Sequence, residues 1–242
     1  MPDRQFGRIP SPPDSRDWDL EDFDTQPLRI RQFAKWDFPC KPLDQENTNH
    51  CVGFSLAHFG INLPTFTPFT KEEAHSMYYM CKVKDGEPGA ENGTTMRSGA
   101  QVLQDIGAIN NYAFARDINS IRRWLLNHGP LIVGTIWTEG MMSPDKDGIL
   151  NVDGVIIGGH AYLINEITKD GYLGIKNSWG ENWGVGGKAY ISITDFEKLF
   201  FYSGEAIAAV ERENYKAKKE HWLISIINYI LDYFRKLKTE SP

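Results

Sequence analysis

Cysteine is scarce in this chain: Cys40, Cys51 and Cys81 are the only three in 242 residues. That excludes a fold held by several disulfides and leaves one possible bridge, Cys40–Cys81, once Cys51 is needed elsewhere. A long apolar run is missing from the start. Residues 1–20 hold no stretch of about seven apolar side chains, so no secretory signal is expected, and the expected location is cytoplasmic or virus-associated. Neither sign of charge dominates. With 26 basic and 32 acidic side chains the net charge is −6, which argues against a nucleic-acid partner. No internal repeat is visible, which sets aside solenoid folds.

What is present centres on the segment 44–60. Gln45 precedes Cys51, and Cys51 opens a run with apolar side chains at Val52, Phe54, Leu56 and Phe59. The spacing predicts a helix of about two to three turns ending at Gly60. A thiol in the first turn of a helix feels the positive end of the macrodipole and nearby unpaired N–H groups, and both favour the attacking thiolate. A glutamine just upstream can donate its amide to a developing oxyanion.

Such a nucleophile needs a base, and the base needs an orienting group. His50 adjoins Cys51 on a different helix face, and His58 lies two turns away. His75, His128 and His221 sit in polar or amphipathic surroundings that suit solvated side chains. His160 differs: it stands in the β-branched run 155–164, which reads as a buried strand, with Gly158 and Gly159 leaving space beside it. A second strand ends at Asn177, followed by Trp179 and Trp183. An asparagine oxygen can accept the imidazole N–H and set its tautomer, and Trp179 can keep water from that bond. Cysteine, histidine and asparagine with an upstream glutamine make a complete acyl-transfer set.

These pieces resemble the papain family of cysteine peptidases. The matching stretches are Asp44-Gln45 with Cys51 and Phe54-Ser55, then Gly159-His160-Ala161, then Lys176-Asn177-Ser178-Trp179-Gly180 with Trp183-Gly184. Weaker matches are Asn92-Gly93, Gly129-Pro130 and the strand pattern 187–191. The resemblance implies an α+β, two-lobed fold with the site in the cleft between a helical lobe and an antiparallel β lobe. It implies Cys51 as nucleophile, His160 as base, Asn177 as orienting group and Gln45 as oxyanion donor. Substrate-binding roles are implied for Gly93, whose backbone would pair with an extended peptide, and for Thr94, Thr95, Gly159 and Trp179. No metal or organic cofactor is implied, and the partner is a protein or peptide substrate. Around Cys51 the sequence departs from the family signature, with Thr48 at a disulfide position and Val52 at an aromatic one. The interval from Cys51 to His160 is 109 residues, which suggests trimmed loops.

The expected organisation is an extended arm at 1–43, a helical lobe at 44–118, a β-rich lobe at 119–212 and an amphipathic helix at 213–242. The family's long inhibitory prosegment has no counterpart in the first 43 residues, so any restraint on activity must come another way. Helices are expected over 70–82 with a Thr70–Glu73 capping box and its Met and Tyr residues in the core, over 97–107, and over 120–128 capped by Asn119 or Ser120. Strands are expected over 131–137, 155–165, 171–176 and 188–193. Residues 216–238 carry an apolar stripe, read as docking on the body or in a dimer, with a membrane-surface helix or contact with another protein as the alternatives. The expected function is a cysteine-type endopeptidase working through a thioester. Its rivals are an amidase or transpeptidase on cell-wall or conjugated peptides and a silent papain-fold binding protein. The space beside Gly158 and Gly159 suggests an apolar substrate side chain.

Overall fold

The computed structural model describes residues 4–24, 31–37, 39–64 and 66–211. In chain order the elements are β1 (Arg8–Ile9), α1 (Leu20–Phe23), β2 (Ala34–Lys35), α2 (Cys51–Ile61), α3 (Lys71–Lys84), β3 (Thr94–Thr95), α4 (Met96–Asp105) and β4 (Ile109–Ala115). There follow α5 (Ile118–Asn127), β5 (Leu131–Thr138), β6 (Ile156–Ile167), β7 (Tyr172–Lys176), β8 (Lys188–Ser192), α6 (Ile193–Ser203) and β9 (Glu205–Glu211). The large sheet runs β4-β9-β5-β6-β7-β8, with β2 added to β6, and every pairing in it is antiparallel. The fold is α+β.

Alternation along the central strands builds two cores. Leu131 and Val133 of β5 and Tyr162 and Ile164 of β6 face one cluster, closed by α5, α6, Trp137 and Trp179. Ile132 of β5 and Ala161 and Leu163 of β6 face the other, closed by α2, α3 and α4. Successive side chains of a strand point to opposite faces, so a run with few polar residues is what a sheet covered on both sides requires. All eleven residues of α2 are buried, since it lies between the sheet and α3. Gly53 allows the close approach: a Cβ there would lie 2.4 Å from the Ala74 carbonyl oxygen.

Helix α3 starts at the expected capping box, with Thr70 and Glu73 exchanging side-chain-to-backbone bonds. Its Met77, Tyr78 and Met80 are buried, but Tyr79 faces solvent at 45 % exposure, because it falls off the apolar stripe. Helix α5 begins two residues earlier than expected and is capped by Asp117, whose Oδ1 accepts the Ser120 N–H at 2.7 Å. A carboxylate at that position outcompetes Asn119 as the acceptor for the third helical amide. His75 and His128 are half-buried and partnered rather than free in solvent. His75 Nδ1 lies 2.7 Å from His50 Nδ1, and His128 pairs with Asp24 at 3.1 Å. Cys40, Cys51 and Cys81 are all free, so the bridge between the first and third does not form. His221 and the amphipathic stretch at 213–242 lie outside the described residues.

One buried cation holds the edge of the groove in place. Lys82 has no solvent exposure; its Nζ donates to the Gly93 carbonyl at 2.8 Å and to Glu87 at 2.9 Å, and pairs with Asp85 at 3.4 Å. Asp85 in turn accepts from Thr94 and Ser98. Removing the cation leaves that largely buried carboxylate without its charge partner, so Lys82→Met is expected to cost about 3–5 kcal/mol, measured by urea denaturation. A loss below about 1 kcal/mol would show that the loop 85–93 is held by other contacts.

Candidate active site

His160 sits in the middle of β6 and Asn177 just past the end of β7, neighbouring antiparallel strands whose register sets the two side chains side by side. Nε2 of His160 is 2.8 Å from Oδ1 of Asn177, and both residues are wholly buried. The same Oδ1 accepts the backbone N–H of Ser178 at 2.8 Å. A backbone N–H only donates, so this contact fixes which amide atom is the oxygen. The imidazole proton then belongs on Nε2, and the lone pair on Nδ1. Nδ1 is buried without a hydrogen-bond partner among the described residues. Aromatic rings enclose the imidazole: Trp137 at 4.8 Å edge-on, Trp179 at 5.0 Å and Phe6 at 5.8 Å between centroids.

Cys51 opens α2 from the opposite wall. Backbone amides of Ala161, which follows His160, and of Gly7 and Val52 lie near enough to its sulfur to favour the thiolate. The sulfur therefore lies against the strand that carries the histidine. Gln45 is also buried; its Oε1 accepts from Ser178 Oγ at 2.6 Å, and its Nε2 donates to the Thr48 carbonyl at 2.5 Å and the Gln5 carbonyl at 3.3 Å. Trp179, 2 % exposed, packs against Phe6 and carries the Arg4 guanidinium over its ring at 5.7 Å.

The feature that sequence reasoning missed is what fills the groove. Residues 4–9 run through it as an extended chain. Arg4 anchors one end on Asp44 at 2.6 Å, and at the other end β1 pairs in parallel with β3. Phe6 covers Gly158, where a Cβ would lie 2.5 Å from the Phe6 Cβ. The Arg8 carbonyl oxygen fills the space at Gly159, 2.3 Å from a Cβ built there. The Gly7 carbonyl accepts the Thr94 N–H at 2.8 Å, and its amide lies near the Cys51 sulfur. Gly93 abuts Gly7 with a positive φ of 89°, yet its N–H donates to Tyr78 Oη and its carbonyl accepts from Lys82 Nζ. The arm's own backbone bond to this edge is made with Thr94. Thr95 lies opposite Ile9 in the same short ladder and caps α4 by accepting the Ser98 N–H. An arm of such ordinary composition carries no signal that separates it from a solvated tail.

Burial under the arm sets the ionisation. The Cys51 thiol is pushed up, mainly by desolvation, against the pull of the three amides and the charge of Arg8. His160 is pushed down to about 4, again mainly by burial, with the Asn177 bond opposing and Arg4 adding to the fall. Both shifts favour a neutral thiol and imidazole while the groove is filled. Departure of the arm removes part of that burial and lets His160 rise back toward the ordinary 6.5, so the open form binds more protons between about 4 and that value. Preference for the closed form is therefore complete above the upper value and declines as pH falls through this window. Hydrogen exchange of the Thr94 amide, corrected for intrinsic rate, is expected to accelerate as pH drops from 7 to 4.5, by up to about tenfold per unit. Constant protection across that range would exclude the coupling.

No known family profile matches the sequence. The fold is papain-like, and it is shared with solved cysteine proteases. Xylellain, a cysteine protease from Xylella fastidiosa, superposes with a TM-score of 0.68 at 15 % identity, covering 88 % of this chain and 98 % of its own. Procathepsin L 3 of Tenebrio molitor larval midgut gives 0.56 at 16 % identity, covering 86 % of this chain and 75 % of its own. An uncharacterized peptidase C1-like protein of Acanthamoeba polyphaga mimivirus is 23 % identical over 76 % of this chain and 80 % of its own length.

Proposed function

We propose that this chain is a cysteine-type endopeptidase that cleaves peptide bonds through a thioester and is held shut by its own residues 4–9. The observation that carries the reading is a groove already occupied by extended peptide. It has a nucleophile candidate on one wall and a tautomer-defined histidine–asparagine pair on the other. Once a substrate replaces the arm, Nδ1 of His160 takes the Cys51 proton and the sulfur attacks the carbonyl carbon. Gln45 Nε2 and the Cys51 backbone N–H stabilise the oxyanion, a donor pair worth about 2.7–4 kcal/mol per group. The C–N bond breaks as the imidazolium protonates the amine, and water then hydrolyses the thioester with His160 as base. In the closed form the Gln5 carbonyl takes the hydrogen bond that the oxyanion requires.

The complete burial of Cys51 favours one rival, a silent papain-fold binding protein. A peptidyl epoxide separates the two. Labelling of Cys51 in the full chain that accelerates with mild acid and disappears in His160→Ala supports the peptidase. Slow alkylation indifferent to His160 supports the scaffold. Product analysis on casein against peptidoglycan distinguishes an endopeptidase from an amidase or transpeptidase.

A further inference from the structure

His50 adjoins Cys51, is only 2 % exposed, and packs its ring on α3. The imidazole stacks on Tyr78 at 3.7 Å between centroids and meets Tyr79 edge-on at 5.2 Å. As the residue that heads α2 it makes no capping bond to the helix with its side chain. Both ring nitrogens are committed elsewhere: Nε2 lies 2.8 Å from Glu91 Oε2, and Nδ1 lies 2.7 Å from His75 Nδ1. The preceding residue makes a second tie to the same place, with Asn49 Nδ2 donating to the Glu91 carbonyl. The turn that leads into the nucleophile is thereby fastened to the loop 85–93 at one residue. These two segments pinch the arm at Gly7. A Cβ on Gly7 would lie 1.7 Å from the Asn49 carbonyl oxygen, and one on Gly93 would lie 2.4 Å from the Gly7 carbonyl oxygen.

We propose that His50 is a positioning residue: joined to Glu91 and His75, it sets the gap between Asn49 and Gly93 through which the backbone of any chain in the groove passes. The tie holds only while the two facing nitrogens share one hydrogen. A carboxylate accepts, so a neutral His50 keeps its hydrogen on Nε2 and offers the Nδ1 lone pair to an Nδ1–H of His75. One added proton fits on Nε2 of His75. A second would set two N–H groups against each other at 2.7 Å, and the rings must part. The charged groups facing the pair are Glu91 from the loop, Glu46 from the turn, and Lys71 and Glu72 on α3 itself. The Tyr78 and Tyr79 phenols border His50, and from α2 the uncharged Phe54 ring faces His75 at 4.9 Å. Burial outweighs the carboxylates and holds both imidazoles below their ordinary 6.5, with His75 adding to the fall of His50 and Lys71 to that of His75. The parted form therefore binds more protons, so the tie is whole above that value and weakens as pH falls below it. In mild acid the gap widens from the wall that bears Cys51. The consequence for turnover rests on the peptidase reading.

The test reads Thr94 amide exchange in the full-length chain carrying His160→Gln, which removes the other imidazole whose charge is coupled to the arm. Corrected for intrinsic rate, exchange is expected still to accelerate about threefold or more from pH 7 to pH 5. Adding His75→Gln should abolish that acceleration, since an amide accepts from a charged His50 as well as it donates to a neutral one. Adding Glu91→Ala instead should raise exchange about tenfold at pH 7 itself, with Glu91→Gln, which still accepts from Nε2–H, restoring most of the protection. Turnover is read with native His160 in a Gly7→Val chain, whose arm has no room beside Asn49. There Glu91→Ala is expected to raise KM about tenfold with kcat within about threefold, because the gap grips the substrate backbone and not the reacting atoms. Full acid acceleration in the His75→Gln chain would overturn the proposal. So would a Glu91→Ala chain, shown folded by thermal denaturation, in which exchange and KM both stay unchanged. The expected exchange pattern without turnover by any variant would keep the tie and overturn the peptidase reading instead.

Discussion

Gly7→Val in the full-length chain is expected to raise the turnover of a short peptide about a hundredfold, the gain for a groove that is closed about 99 times in 100. The reason is steric. A Cβ at Gly7 would lie 1.7 Å from the Asn49 carbonyl oxygen and 2.6 Å from the carbonyl carbon, distances that only movement of the backbone can relieve. Residues 5–9 cannot retain both the Thr94 bond and the seat against Cys51 with any side chain at that position. A bump on the opposite side of the same contact serves as the control. Gly159→Ala places a Cβ 2.3 Å from the Arg8 carbonyl oxygen and so also expels the arm, but the methyl stays on the groove wall beside His160 and obstructs substrate as well. Faster exchange at Thr94 is expected in both variants, and faster turnover in Gly7→Val alone. A folded Gly7→Val chain with unchanged turnover would show that the arm does not limit access.

Why the arm escaped the sequence, while the dyad did not, comes down to the reach of the interactions. His160 lies in a β-branched run and Asn177 ends another; antiparallel pairing of neighbouring strands is the commonest arrangement, so meeting at 2.8 Å follows from local pattern plus short-range topology. Helix α3 was legible because its capping box is written within four residues. Residues 4–9 are held by partners 40 to 197 positions away: Asp44, Thr94, Glu205. Nothing periodic marks such contacts. Glu205 illustrates the same limit. It is an acidic residue at the start of a strand, and on the sequence alone a solvated reading serves as well as a buried one; only the fold brings the Arg8 guanidinium to it. Lys82 likewise reads as a solvated helical lysine until the loop 85–93 folds over it.

The remaining large effect concerns the chemistry itself, and the Gly7→Val chain is the background in which to measure it. Cys51→Ala and His160→Ala are each expected to lower kcat by about 10⁴-fold or more, and the double variant to fall little further, because groups acting as one unit are not additive. Asn177→Ala is expected to cost less, about 10²-fold, since the imidazole keeps its aromatic enclosure but loses the acceptor that holds the proton on Nε2. The informative substitution is Asn177→Asp. A carboxylate still accepts from Nε2–H and from the Ser178 amide, so the tautomer survives, while its negative charge favours the imidazolium. The histidine limb of the pH–rate profile should then move to higher pH, with kcat at the optimum within about tenfold of the parent. A role for Asn177 in folding alone predicts the reverse: Asn177→Ala and Asn177→Asp would lose stability together, and neither would displace the limb.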